Sequence, residues 1–214
     1  MMKLVLPALA VTLAATAAGC AGINRLRYLG DPTVSPETLA VQVCASCHSL
    51  DGNGTAPGFP RLAGQTRDYL CNQLTAFHDR ARSDAGARRM WRIAGGLTTD
   101  QMKGLADYYS RQTPTANPIK AADAPRAELG RAIYTQGSAE QRLVACRICH
   151  GPEAHGNSVI PRLASQHGDY LVRQLLVFQD DPHGGRPGTP MAAVAPNLTR
   201  EQMDAVALYL QALP

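Results

Sequence analysis

Lysine is almost missing from this 214-residue chain. Lys3, Lys103 and Lys120 are its only three, so arginine carries the formal net charge of +4. That excess is small and argues only weakly for nucleic acid or another anionic partner, and no nucleic acid is expected. Large rings are scarce as well: aromatic residues make up 5% of the chain and Trp91 is the only tryptophan. Strand-like alternation is also sparse, which removes the βαβ setting that a thioredoxin-like thiol centre would need. No apolar run reaches the roughly 20 residues of a membrane-spanning helix. The longest, Leu4 to Ala18, has 15 residues.

What the chain does have is one short pattern, twice. Cys44-Ala-Ser-Cys47-His48 and Cys146-Arg-Ile-Cys149-His150 both read Cys-x-x-Cys-His, the spacing of a c-type haem attachment site. Two thiols add across the haem vinyl groups as thioethers, and the following histidine is held beneath the iron. Two other readings compete: a pair of zinc half-sites, and a thiol redox centre. Neither requires a histidine after each second cysteine. Two haems would bring four propionates, which nearly cancel the arginine excess and give it internal partners. A chain this poor in rings also gains core material from a buried porphyrin.

The N-terminus reads as an export signal. Lys3 precedes the 15-residue apolar run, a length that suits a signal h-region. Export fits the motif, because c-type haem is attached outside the cytoplasm, and it places the mature chain in the periplasm. Ala17-Ala18-Gly19-Cys20 resembles a bacterial lipobox, with Ala17 where such signals usually carry Leu. In one reading residues 1–19 are removed and Cys20 is lipidated, which would hold the protein on a membrane. In the other, ordinary cleavage occurs between Ala17 and Ala21. Residues 20–34 then form a tether.

Internal repetition sets the architecture. PRLAGQTRDYLCNQLTAF begins at Pro60 and PRLASQHGDYLVRQLLVF at Pro161, an offset of 101 that Tyr69/Tyr170, Gln73/Gln174 and Phe77/Phe178 all keep. Met90/Met191 and the two LTxxQM stretches from Leu97 and Leu198 keep it too. The haem motifs are 102 apart, so one residue is missing between His and Pro in the second copy. This predicts an all-α chain of two tandem domains, residues 35–112 and 126–214, joined by a linker over 113–125. Each domain is small enough that its core is marginal without a staple, which covalent haem supplies. Within a copy, Ser35 and Pro36 open a helix running into Cys44. A second helix spans Asp68 to Phe77, and Thr98 with Gln101 caps a third.

Each iron needs a sixth ligand or an open face. Met90 and Met191 sit about 40 residues after their motifs, in what reads as a loop before the last helix. Thioether sulfur is a soft ligand that favours ferrous iron. Met102 and Met203 instead lie on the apolar stripe of the capped helix and read as core.

CASCH and CRICH, PRLAGQ and PRLASQ, YLxxQLxxF in both halves, and each Met followed by LTxxQM together resemble the cytochrome c4 family of dihaem class I c-type cytochromes. The resemblance covers the chain from about Ser35 onward. It implies two class I cytochrome c domains with two covalent haem c groups, attached at Cys44 and Cys47 and at Cys146 and Cys149. His48 with Met90, and His150 with Met191, would be the axial ligands. Pro60 and Pro161 would accept the second N–H of each histidine. The implied role is single-electron transfer between redox proteins: membrane respiratory complexes, a terminal oxidase, or a periplasmic dehydrogenase. The alternatives are the haem subunit of a dehydrogenase complex and a dihaem peroxidase; the latter needs an open iron, against which the matched methionines speak.

Departures from the family pattern are Ser49, where Gly is common, and the absence before Cys44 of any counterpart to Gly130 and Tyr134. His78, His155, His167 and His183 do not repeat at the offset and read as non-ligands. Cys71 reads as a small buried side chain, Trp91 as packing at the first haem's edge, and Arg82, Arg89 and Arg186 as solvated loop residues, with pairing to the propionates as the alternative.

Overall fold

A helix that begins with Ser35 carries the first haem motif. In the computed structural model, which describes residues 29–84, 86–180 and 190–214, the Ser35 side chain accepts from Thr38 N and Pro36 occupies the first turn. The segment runs as α1 (Pro36–Leu39), a π-helical stretch (Ala40–Cys44) and α2 (Ala45–His48). The expected signal and Cys20 lie outside the described residues.

Three more helices complete the first domain: α3 (Arg67–His78), α4 (Ala87–Ala94) and α5 (Thr99–Ser110). Leu39, Val43, Leu70, Met102, Leu105 and Tyr109 form its core, so Met102 is packing as expected. The second domain repeats the plan with α6 (Ala124–Gln136), α7 (Arg147–His150), α8 (Gly168–Asp180), α9 (Met191–Val194) and α10 (Arg200–Ala212). Both last helices open with a complete capping box, Thr98/Gln101 and Thr199/Gln202, which satisfies two otherwise orphaned backbone donors at each start. Among the described residues only isolated bridges, no strands, interrupt the helical fold. Nor is any described helix long and apolar enough to cross a membrane.

The first and last helices of each domain cross closely, and each copy solves the crossing differently. In the second domain the glycine is on the first helix: a Cβ at Gly130 would sit 2.0 Å from Ala205 O. Tyr134, fully buried one turn later, donates from its hydroxyl to Gly151 O at 2.6 Å. The first domain has no glycine at the matching place before Cys44. There the small residue is on the last helix, where a Cβ at Gly104 would meet Pro36 Cγ at 2.2 Å. Gly104 aligns with Ala205 at the offset of 101, so the contact is kept with its glycine moved to the opposite helix.

Candidate functional site

Each motif histidine is buried and clamped. His48 Nδ1 lies 2.8 Å from Pro60 O and His150 Nδ1 lies 3.0 Å from Pro161 O. A carbonyl can only accept, so Nδ1 carries the proton and Nε2 is left as the free, metal-binding nitrogen. Burial lowers both histidine pKa values, with the proline carbonyls opposing it, so both rings are neutral as ligation requires. The proline role expected from the resemblance is thus present in both copies, although one residue is missing between His and Pro in the second.

The thiols are held in the same helical turns. Burial pushes Cys44 up to about 12 and Cys146 up to about 11, while Cys149 is exposed. Among the described residues no three His, Cys, Asp or Glu side chains gather as a metal site, so the two pairs are not halves of one zinc centre. The Tyr109 hydroxyl is buried against the Cys44 thiol, in a weak contact rather than a regular hydrogen bond. A neutral imidazole with a free Nε2 and two thiols one turn apart fit a covalent haem.

The loop expected around the candidate methionines is helical. Met90 lies in the two-turn α4, partly buried against Phe77, Ala87 and Ala94, and Met191 opens α9. The arginines around Met90 suggested a loop. They are instead one face of an amphipathic helix whose other face is Ala87 and Ala94. Met203, fully buried on α10, is core as expected.

Arg82 is not a solvated loop residue. It is 5% exposed and sits between the domains. Its guanidinium donates to Asp84 at 2.5 Å, to Gln73 at 2.7 Å in its own domain, and to Gln174 at 3.0 Å and Tyr170 at 3.2 Å in the other. It also lies over the Phe77 ring, and its backbone carbonyl accepts from Trp91 Nε1 at 2.7 Å. Arg89 is exposed; Arg186 and His183 lie outside the described residues. Cys71 is only partly buried, packed against the first core.

The sequence showed PRLAGQ and PRLASQ as repeats without showing their purpose. Each glutamine pairs with the backbone of the other domain's arginine. Gln65 accepts from Arg162 N at 2.6 Å and donates to Arg162 O at 2.9 Å; Gln166 accepts from Arg61 N at 2.8 Å and donates to Arg61 O at 2.9 Å. Each amide thus satisfies a backbone donor and acceptor at the seam, as a neighbouring strand would. His167 adds a bond from Nε2 to Gly54 O at 2.5 Å, and Thr66, at the matching position, donates to Ser158 O. His167 is therefore an interface residue.

The sequence profile described as Cytochrome c matches residues 37–112 and 127–214. Cytochrome c4 of Thiocapsa roseopersicina is 35% identical over 86% of this chain and 94% of its own length. A thiosulfate dehydrogenase electron acceptor of Thiomonas intermedia is 36% identical over 80% of this chain and 78% of its own. The solved structure of Acidithiobacillus ferrooxidans cytochrome c4 superposes with a TM-score of 0.72 at 38% identity, covering 79% of this chain and 98% of that one. With two clamped Cys-x-x-Cys-His motifs in duplicated helical domains, the chain belongs to the cytochrome c4 family, as an electron carrier with two covalently bound haem c groups.

Proposed function

We propose that this chain is a periplasmic carrier that takes single electrons from a dehydrogenase in that compartment and delivers them to a membrane respiratory complex such as a terminal oxidase. The observation that carries the reading is the paired histidine clamp, one complete copy in each domain. Two equivalent sites suit stepwise electron passage, and the thiosulfate dehydrogenase electron acceptor among its relatives supports a dehydrogenase as donor.

In this proposal Cys44 and Cys47, and Cys146 and Cys149, hold the haems as thioethers. His48 and Met90 ligate one iron, His150 and Met191 the other. Haem iron supplies the one-electron couple. The protein's part is to keep each imidazole oriented through Pro60 or Pro161 and to exclude water from the buried histidine face. Two methionine-closed irons leave no open coordination position, which sets the carrier apart from a dihaem peroxidase.

The test is the ferric spectrum of the holoprotein together with its haem-to-protein ratio, followed by reduction with a purified thiosulfate dehydrogenase and reoxidation by oxidase-containing membranes. The far-red charge-transfer band of methionine ligation at an intensity fitting two haems, with turnover between the two partners, is the expected result. Half that band with a high-spin signature would move the assignment to an enzyme.

A further inference from the structure

The duplication allows surface charge to be compared between the copies, and α4 is one of the places where they differ. On α4 the exposed residues Arg88, Arg89 and Arg92 share one face, because positions 88 and 92, and 89 and 92, are four and three residues apart. Ala87 and Ala94 are fully buried on the opposite face. At the offset of 101 the second domain has Thr189, Pro190 and Ala193, none of them charged.

Nor is this face neutralised from within. Among the described residues no carboxylate forms an ion pair with Arg88, Arg89 or Arg92. The nearby Asp84 is buried and paired with Arg82. The patch also sits beside the first domain's proposed iron ligands. Met90 lies on the same helix, on the face that packs with Ala87 and Ala94. The Arg89 guanidinium is 5.4 Å from the Phe59 ring centre, and that ring meets the His48 ring edge to face at 6.0 Å.

We infer that the arginine face of α4 is a docking surface for an acidic protein partner, and that the first domain is the one through which that partner exchanges electrons. This deepens the carrier reading and rests on it. Charge complementarity selects the partner's chemistry. A protein is favoured over a lipid surface because a contact beside His48 and Met90 shortens the path to the first haem only when the bound object carries a redox centre.

The test uses the haem-loaded protein and poly-L-glutamate as an acidic polypeptide probe, with phosphatidylcholine vesicles with and without phosphatidylglycerol in parallel. Arg88→Glu/Arg92→Glu is compared with Arg126→Glu/Arg200→Glu, which has the same net charge but changes exposed arginines of the second domain. At low salt the α4 variant should weaken poly-L-glutamate binding by about tenfold or more. The control should weaken it less than about twofold, and the gap should close at high salt. Arg88→Gln/Arg92→Gln should fall between, with unchanged haem spectra showing that the fold is intact. Equal losses in both variants would reduce the effect to bulk charge and overturn the proposal. So would no binding by the parent protein, or a loss confined to anionic vesicles. Binding is read without turnover, so a failure of the dehydrogenase-to-oxidase assignment would leave this result untouched and would be recognised separately.

Discussion

Arg82 and Asp84 form an ion pair that can be broken from either side. Their side chains are each 6% exposed, with Nε 2.5 Å from the carboxylate. Arg82→Met keeps the apolar stem over Phe77 but leaves Asp84 without that cation. It also removes the donor that Gln73, Gln174 and Tyr170 share. Removing one partner of a buried pair costs about 3–5 kcal/mol. For a chain of this size each kcal/mol is worth about 2–4 °C in Tm, so the variant should melt roughly 6–20 °C lower. Arg82→Met/Asp84→Asn removes the buried carboxylate together with its cation and should recover at least half of that loss. The assay is thermal unfolding of the holoprotein by far-ultraviolet circular dichroism, run as a double-mutant cycle. A shift below about 2 °C for Arg82→Met would refute the reasoning. So would a double variant whose losses simply add, because neither outcome is compatible with a buried, coupled pair at the domain seam.

Three further outcomes follow from single residues. Ser49 has φ 63° and ψ 161°, a conformation essentially reserved for glycine and the one Gly151 adopts in the second copy. Ser49→Gly should therefore stabilise the protein by about 1 kcal/mol, measurable as a Tm rise of a few degrees. His167 is held neutral chiefly by burial, with Arg61 and Arg173 adding to that effect and the Gly54 carbonyl and Asp169 opposing it. Its folded pKa lies below the unfolded value, so the unfolded chain binds the extra proton as pH falls below about 6.5 and stability is lost there. His167→Gln keeps an N–H donor for Gly54 O and should flatten the urea-unfolding profile between about pH 7 and pH 5; an unchanged slope would remove His167 as the cause. Finally, Met191→His should lower only the second haem's potential in redox titration, leaving the first haem's methionine band intact. A shift of both haems would show that the sites are not independent.

Much of the site was legible in the sequence because its chemistry is local. Two thiols and a histidine within one helical turn need no tertiary information to be recognised, and the 101-residue offset exposed the duplication and the capping boxes. Periodicity located Met102 and Met203 in the core. The same reasoning misread α4: the run of Arg80, Arg82, Arg88 and Arg89 up to Met90 suggested loop, while the burial of Ala87 and Ala94 on the other face was invisible in one dimension. Gly104 went unnoticed because a glycine that permits a helix crossing is defined by what presses on it, here Pro36, 68 positions earlier.

The sequence alone therefore determined the cofactor class, set by spacings within one turn, and the number of sites and the helical repeat, set by the 101-residue offset. Only the tertiary structure decided how the halves join. The two glutamines meet the backbones of Arg162 and Arg61 at separations of 97 and 105 residues, and Arg82 reaches Gln174 across 92. A polar side chain in a repeat looks the same whether it faces water or another domain. Its role is settled by whether its donors and acceptors are taken from water when the domains close, and that depends on a surface assembled from both halves.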